Sequence, residues 1–286
     1  MVFYIKSYKI LHFIIALLYN EQIKQLGGTT MKKIFLVIMM LFVAMGLLAG
    51  CGNKKPTERV LRFGTEPTFA PFEFQKEGSK EYTGFDMDLA RAIGKKIGAK
   101  VDIVSMGFDG LIPALNAGNL DAIAAGMSIT PERSKNVEFS VPYYQSGLAV
   151  MVKKDNNTIK GMEDLKGKKI AVQIGTTGAM EAHKISKTEV VEFNTNTEAA
   201  LELKNGGVDA VINDLPVVAY FLHQGGGSDY AKIVGKTVSA ENYGIAVKKG
   251  NKKLAEEINK AIADLKKDGE YAEIYKKWFG DVAIAK

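Results

Sequence analysis

A ten-residue pattern that occurs twice constrains the fold of this chain more than any other feature. The first copy, LNAGNLDAIA, begins at Leu115, and the second, LKNGGVDAVI, begins 88 residues later at Leu203. Each copy predicts the end of a helix, a glycine that stops it, an aspartate and a buried strand. A spacing of 88 residues is too long for a solenoid repeat, so we expect two lobes built to one plan. Chance similarity between two strand–helix units is the alternative.

Strand-like and helix-like segments alternate along the chain from residue 59 onward, which is typical of α/β architecture. Residues 60–64 predict a strand, and residues 86–97 predict a helix with Asp86 as its N-cap. Residues 108–116 predict a second helix. The chain is 47% hydrophobic and 24% charged, as expected of a packed globular protein.

The N-terminal region has the features of a secretion signal and is set aside from the fold. Lys32 and Lys33 precede a run, residues 34–48, without charged or amide side chains, which is too short to span a membrane. The run ends at Cys51, the chain's single cysteine, and resembles a bacterial lipoprotein signal. That resemblance implies a signal peptide over 31–50, a lipid on Cys51 that anchors the protein to a membrane, and a tether over 51–58.

Residues 1–30 precede a complete signal that has its own methionine, Met31. We interpret them as an upstream extension produced by a misassigned start site. The alternative is a genuine second apolar segment, because residues 10–18 are mostly apolar.

The positive charge is concentrated in the same N-terminal region. Residues 1–58 contain seven lysines and two glutamates, so they hold +5 of the net charge of +6. The remainder carries about +1, and the isoelectric point of about 9.0 is therefore no indication of nucleic-acid binding.

Polar residues recur where four predicted strands end. The four turns are 64–69 (GTEPTF), 126–133 (GMSITPER), 173–178 (QIGTTG) and 213–216 (NDLP). Ligands of open α/β sheets bind beyond the carboxyl ends of strands. Together the turns supply an arginine, a helix start that favours an anion, two acids and several hydroxyls. This combination complements a zwitterion.

Each of these residues also has a purely structural interpretation. Arg133 beside Glu132 would be a solvated surface pair, Asp214 an N-cap, and Glu66 an exposed turn acid. The phenylalanines near the turns would belong to the core. Their joint placement at strand ends favours a binding site.

A series of short motifs resembles one family over residues 59–281. The motifs, in chain order, are GTEPTFAPFEF, YTGFDMDLA, GFDGLIPAL, AGMSITPER, FSVPYY, VQIGTT and YAEIYKKWFG. They are similar to the polar amino-acid binding proteins of bacterial ABC importers, solute-binding protein family 3. The resemblance implies an α/β fold of two Rossmann-like lobes joined by two hinge strands, the type II periplasmic binding protein fold, which closes on a ligand.

The resemblance also implies lobe boundaries. Lobe one would comprise 59–143 plus 244–286, and lobe two would comprise 148–239. The chain would cross between them near 144–147 and 240–243.

Position by position, the resemblance assigns residues to the ligand's backbone groups. Arg133 would bind the α-carboxylate, assisted by the N–H groups of Ser128 and Thr177. Asp214 would accept from the α-ammonium, with the Ser128 hydroxyl and the Gly126 carbonyl as further acceptors.

The remaining assignments concern the ligand's side chain. Phe69 and Phe108 would form its aromatic walls, and Glu66 and Gln173 would contact its far end. A closed-in acid without a cationic partner is costly, and Gln173 carries no charge. We therefore expect a cationic ligand, arginine first and then lysine, histidine or ornithine. Glutamine and cystine remain the alternatives.

The sequence thus predicts the extracytoplasmic binding component of an amino-acid ABC importer. Its expected partners are a free L-amino acid, a membrane permease with its cytoplasmic ATPase, and the membrane through Cys51. We expect a monomer without cofactor, metal, catalytic residue or nucleic-acid partner. The alternative functional class is an enzyme: a secreted protein of the same fold, similar to cyclohexadienyl dehydratase, in which Glu66 would be a general acid.

Overall fold

The computed structural model describes residues 58–76 and 78–280. The predicted signal peptide and Cys51 lie outside these residues. The described strands are β1 (Arg59–Thr65), β2 (Thr68–Phe69), β3 (Glu73–Gln75), β4 (Tyr82–Thr83), β5 (Ala99–Ser105), β6 (Ala122–Ile123), β7 (Val137–Phe139), β8 (Tyr144–Lys153), β9 (Lys169–Gln173), β10 (Glu189–Phe193), β11 (Ala210–Asp214), β12 (Ala231–Tyr243) and β13 (Ala246–Lys248). The described α-helices are α1 (Phe85–Ile97), α2 (Phe108–Ala117), α3 (Pro131–Asn136), α4 (Thr177–Lys184), α5 (Asn196–Asn205), α6 (Leu215–Gln224), α7 (Lys252–Asp268) and α8 (Glu270–Phe279).

Ten of the described strands form two five-stranded sheets with the same pattern of strand directions, and β2, β3 and β4 form a third, smaller sheet. Sheet 1 has the order β5-β1-β6-β13-β7, and sheet 2 has the order β10-β9-β11-β8-β12. In sheet 1, β1 pairs in parallel with β5 and β6, and in sheet 2, β9 pairs in parallel with β10 and β11. The fourth strand is antiparallel in both sheets. The α/β fold expected from the sequence is confirmed, and the lobe boundaries remain a prediction.

The repeated sequence pattern has the same structure in both sheets. Helices α2 and α5 end at Gly118 and Gly206, both left-handed with φ of 82°. A side chain is disfavoured at this angle, so glycine is the natural stop. The following aspartates each accept a backbone N–H near the start of the neighbouring strand: Asp121 from Arg62 at 2.8 Å, and Asp209 from Lys169 at 2.9 Å.

Helix α1 differs from its prediction at the N-terminus. It begins at Phe85 with Gly84 as N-cap, one residue before the expected start. A Cβ on Gly84 would lie 2.0 Å from the carbonyl oxygen of Phe72, and its φ is 131°, so only glycine fits there. Asp86 is therefore inside the helix. Its fully buried carboxylate accepts the Gly126 N–H at 2.8 Å and the Tyr143 hydroxyl at 2.6 Å.

Strands β8 and β12 carry the chain between the two sheets. They pair antiparallel where they approach sheet 1, with Tyr144 opposite Tyr243 and Ser146 opposite Glu241. Phe72, which precedes β3, packs edge-on against both tyrosines. Its ring centroid lies 4.8 Å from that of Tyr144 and 5.1 Å from that of Tyr243. This aromatic contact fixes the crossing beside the ends of the strands that form the site.

The C-terminal region folds into two helices, α7 and α8, separated by Gly269. Leu254, Ile258, Ile262 and Leu265 of α7 follow a helical spacing and are buried in the same core as Phe63 of β1. Within 58–76 and 78–280, no helix combines the length and the apolar character that crossing a bilayer requires.

Candidate functional site

One cleft contains every ligand-binding residue expected from the sequence. It lies at the carboxyl ends of β1, β6, β9 and β11, where the turns of both sheets meet. The expected residues in its lining are Glu66, Phe69, Phe108, Gly126, Ser128, Arg133, Gln173, Thr177 and Asp214. Glu73, Ala125 and Thr176 line it as well. Their roles toward a ligand remain proposals.

Arg133 is a buried guanidinium rather than half of a surface pair. Thr130 caps the short helix α3 by accepting the Arg133 N–H, and Pro131 occupies the first turn. The Arg133 side chain is 5% exposed. Its Nη1 donates to the Ser128 carbonyl at 2.9 Å and its Nη2 donates to the Gly175 carbonyl of the β9 turn at 3.0 Å.

Burial also affects the electrostatics of Arg133. It lowers the pKa of the guanidinium, while the nearby carboxylates of Glu241 and Asp214 oppose that change. The guanidinium carbon lies 5.2 Å from the centre of the Phe108 ring, a cation–π distance. The Phe108 ring therefore lines the cleft and also stabilises the positive charge of Arg133.

Asp214 occupies the N-cap position of α6, but its carboxylate does not cap the helix. It instead accepts hydrogen bonds from the Tyr243 hydroxyl at 2.5 Å and the Ser146 hydroxyl at 3.2 Å. Burial, and after it the negative charge of Glu241, raise the pKa of Asp214 to about 7, although both hydrogen bonds act in the opposite direction. Such a carboxyl favours the arrival of a cation, because a cation would offset the cost of ionising it.

Glu66 is buried, with 4% exposure, and its hydrogen-bond partners among the described residues are neutral. Thr68 donates its hydroxyl to both carboxylate oxygens, at 3.0 and 2.8 Å, and the Gln173 amide donates at 3.1 Å. Burial raises the pKa of Glu66, and these hydrogen bonds partly offset the shift. Asn196 holds the Gln173 amide in this orientation by donating to its oxygen at 2.6 Å.

The helix start after β9 has the geometry expected of an anion-binding turn. Thr176 caps α4 by accepting the Ala179 N–H, so Thr177 is the first helical residue. The first N–H groups of a helix have no partner within the helix and carry the positive end of its dipole. Gly175, with φ of 74°, allows the turn to approach Asp109 of α2 closely.

Beneath the cleft lies a pair of buried carboxyls, Glu73 and Asp86. Strand pairing places Glu73 opposite Phe69, and each acid has one oxygen without a hydrogen-bond partner outside the pair. Burial and the neighbouring Asp86 raise the pKa of Glu73 well above its usual value, and burial raises the pKa of Asp86 to about 6. Because burial and the charge of Asp86 both oppose ionisation of Glu73, the neutral form of Glu73 is favoured.

Sequence reasoning did not identify three contributors to this site: Glu73, Asn196 and Glu241. Glu73 lies in the PFEF motif, but only its register against Phe69 shows that it faces the cleft. Nothing in the sequence distinguishes Asn196 as a site residue from any other residue in the first turn of a helix. Glu241 is distant in sequence from all four turns and reaches them only through the path of β12.

The comparisons with known proteins identify the family. Residues 61–281 match the family model of the bacterial extracellular solute-binding proteins, family 3. The chain belongs to this family.

Two curated relatives illustrate the range within the family. The ABC transporter arginine-binding protein 1 of Escherichia coli K12 is 37% identical over 254 residues, covering 87% of this chain and 99% of the relative. The ABC transporter glutamine-binding protein GlnH of Bacillus subtilis 168 is 36% identical over 271 residues, covering 87% and 97%. The relatives are binding proteins rather than enzymes.

Solved structures give the same fold. An ancestral arginine-binding protein bound to arginine is 51% identical, with a TM-score of 0.75 over 77% of this chain and 98% of that one. An ancestral amino acid-binding protein described as a precursor of cyclohexadienyl dehydratase is 42% identical, with a TM-score of 0.71 over 77% and 95%. The type II periplasmic binding protein fold is therefore confirmed.

Proposed function

We propose that this protein is the extracytoplasmic amino-acid-binding component of an ABC importer and that its ligand is L-arginine. The family, whose relatives include ABC transporter arginine-binding and glutamine-binding proteins, supports the transport role. The preference for arginine is supported by the chemistry of one residue, Glu66.

Glu66 carries the argument for a cationic side chain. Its carboxylate is buried at the end of the cleft formed by β1 and β9, and Thr68 and Gln173 offer it only neutral donors. An ionised carboxylate in such a place is costly unless a cation joins it. The guanidinium of arginine supplies that cation, and its planar fork matches both carboxylate oxygens.

The opposite part of the cleft suits the backbone groups of an amino acid. Arg133, Thr177 at the start of α4 and Asp214 line the same cleft. We assign Arg133 and the first N–H groups of α4 to the α-carboxylate, and Asp214 to the α-ammonium. The buried acids of the cleft outnumber its one buried arginine among the described residues. A ligand with one negative and two positive groups therefore balances the charge better than a neutral zwitterion.

Glutamine is the second candidate, and a specific observation favours it. Burial raises the pKa of Glu66 and so increases the share of its neutral form. A neutral carboxyl can both donate to and accept from a ligand amide without an unpaired charge. The same shift would suit a general acid, which is the reason to test for turnover as well.

The test is isothermal titration calorimetry on the chain from Glu58 onward, which forms one compact unit, after unfolding and refolding to remove bound ligand. The unaltered protein and Glu66→Gln are each titrated with arginine, lysine, histidine, glutamine and cystine. Glu256→Gln, an exposed acid on α7, is the matched control. We expect arginine to bind with the highest affinity and to lose about tenfold or more in Glu66→Gln, because one charge-assisted contact is lost.

Two results would contradict the proposal in different ways. Glutamine binding that survives or improves in Glu66→Gln, without arginine binding, would replace the ligand but retain the transport role. The incubated mixture is also examined by mass spectrometry. Conversion of the added compound into a new product would show that the protein is an enzyme rather than a binding protein.

The lipid anchor on Cys51 is a separate part of the proposal, supported by the signal-like run before it. A lipid on Cys51 would hold the protein at the membrane surface beside the permease. We expect the protein in cells to partition into detergent and a Cys51→Ser variant to be released into the aqueous phase. Equal partitioning of both forms would contradict the anchor.

A further inference from the structure

Glu241 lies at the crossing between the two sheets and contacts the cleft from below. It belongs to β12, opposite Ser146 of β8, and its side chain is 8% exposed. One carboxylate oxygen, Oε2, accepts the hydroxyl of Ser128 and also the hydroxyl of Thr177 at 2.9 Å. The other oxygen accepts from Ser239 at 3.3 Å.

The two hydroxyl donors come from opposite sides of the cleft. Ser128 is in the turn between β6 and α3, beside sheet 1, and Thr177 opens α4, beside sheet 2. A single carboxylate therefore joins the two turns that are proposed to hold a ligand's α-carboxylate. Glu241 engages only their side-chain hydroxyls, so it does not occupy the backbone N–H group of either residue.

An irregular stretch of β12 places this carboxylate. The pairing of β12 with β8 shifts register between Val234 and Val238 and again between Val238 and Glu241. Ser239 has a φ of 56°, in the left-handed region that few non-glycine residues adopt. Such departures concentrate at functional sites, and this one brings a carboxylate under both turns.

The charge of Glu241 acts on both ends of the proposed ligand site. It favours the charged form of Arg133, and it opposes ionisation of Asp214 and of Tyr243. These three are the titratable groups that face it, and the hydrogen-bonding groups around it are neutral hydroxyls. An α-ammonium arriving at Asp214 would relieve the repulsion between the two carboxylates, so the charge of Glu241 favours binding of a cationic group there.

We infer that Glu241 is a positioning residue of the amino-acid site: its carboxylate joins Ser128 to Thr177 across the cleft and couples closure of the cleft to ligand binding. The inference rests on the proposed function, since it assigns a role within the same site. No ligand contact is required of Glu241 itself.

The test compares Glu241→Ala and Glu241→Gln with Asn242→Ala, which removes an exposed side chain from the next position of the same strand. Arginine affinity is measured by titration calorimetry at pH 8 and pH 6. We expect Glu241→Ala to bind about tenfold more weakly at pH 8, because two charge-assisted hydrogen bonds are lost. Asn242→Ala is expected to remain within about twofold of the unaltered protein.

The glutamine variant separates the charge from the hydrogen bonds. Its amide oxygen can still accept from Ser128 and Thr177, but the charge that raises the pKa of Asp214 is absent. We therefore expect arginine affinity in Glu241→Gln to fall less between pH 8 and pH 6 than in the unaltered protein. A residue that merely filled space would leave this pH dependence unchanged.

A double-mutant cycle tests the link across the cleft directly. Thr177→Val removes the hydroxyl but keeps the backbone N–H, so it should weaken binding in the unaltered protein and have little further effect in Glu241→Ala. Additive effects of the two changes would overturn the inference, as would unaltered affinity and pH dependence in both Glu241 variants. If Glu241→Ala fails to fold, the cycle is completed with Glu241→Leu, which fills a similar volume but offers no acceptor to either hydroxyl.

Failure of the proposed function gives a different result. Unaltered protein that binds none of the five amino acids would overturn the proposed function and this inference together. Normal arginine binding with no sensitivity to Glu241 would overturn this inference alone.

Discussion

The two sheets share one plan but carry different charges at equivalent strand ends. In sheet 1, the turn after β1 carries Glu66, and the segment after β6 carries Arg133. In sheet 2, the turn after β9 carries the neutral Gln173, and β11 ends in Asp214. The common plan determines where polar groups converge, because the ends of equivalent strands face one cleft. The residue at each end then determines which part of a ligand that strand can bind.

The largest effect on ligand binding is expected from removing Arg133, the positive residue that follows β6 of sheet 1. Arg133→Ala should abolish measurable arginine binding, because it removes a buried guanidinium from a cleft that retains its acids, a loss of about 3–5 kcal/mol. Calorimetric titration measures it. Lys135→Ala, on the same helix but in an exposed pair with Glu132, is the control and should bind normally. Similar affinity in both variants would remove Arg133 from the site.

The next effect concerns the acid that ends β11 and depends on pH. The pKa of Asp214 is raised to about 7, so the carboxyl is mostly ionised at pH 8 and mostly protonated at pH 5. An α-ammonium binds the ionised form, so affinity is retained above pH 7 and is lost as the pH falls below it. For one proton with this pKa the loss approaches about a hundredfold between pH 8 and pH 5.

Titration of arginine across this range measures the dependence. Asp214→Asn should bind weakly at every pH and show a flatter profile. An identical slope in Asp214→Asn would assign the pH dependence to another group.

Adding a positive charge to the β9 turn sharpens the comparison between the sheets. In Gln173→Lys the ammonium would lie near Glu66, whose present contact with the Gln173 amide is 3.1 Å. The internal pair would compete with a ligand cation, so we expect arginine affinity to fall by about tenfold to a hundredfold and glutamine affinity to be less affected. Competition binding with both amino acids measures the shift.

Gln224→Lys adds the same charge at the exposed end of α6 and should change neither affinity. Equal losses for arginine and glutamine in Gln173→Lys would indicate disruption of the turn rather than a change of selectivity.

The smallest effect tests the repeat itself. Asp121→Ala and Asp209→Ala each remove the acceptor for a strand N–H, which is worth on the order of 1 kcal/mol of unfolding free energy. Asp121→Ala should cost more, because Asp121 also accepts from the Arg62 guanidinium at 3.0 Å. Urea denaturation measures both variants. A larger loss in Asp209→Ala than in Asp121→Ala would contradict the stabilising role given to the Arg62 contact.

Much of the site could be predicted because its residues directly follow strands. Turns rich in glycine, hydroxyls and charge stand out between apolar segments, and parallel strand ends converge. Burial was harder to predict. The surface interpretation of Arg133 is wrong, because its guanidinium is buried against the Gly175 turn of the opposite sheet. Asp214 does occupy an N-cap position, but its carboxylate accepts hydroxyls of the crossing strands instead of capping the helix, which local sequence does not show.

The prediction that Asp86 is an N-cap failed for a related reason. An aspartate near a helix start is normally a cap, but here the close approach of Gly84 to Phe72 moves the start by one residue and turns the carboxylate into the core. The contacts that it makes there, with Gly126 and Tyr143, join segments separated by 40 and 57 residues.

The sequence by itself determined the α/β class, the repeated plan and the strand-end residues that line the cleft. These follow from local physics: hydrophobic periodicity, glycine at left-handed positions, and proline and threonine at helix starts. Only the tertiary structure decided which polar groups are buried together. It brings Glu241 under Ser128 and Thr177 and leaves Glu66 among neutral donors, because burial and long-range contact depend on how the two sheets meet across the crossing strands.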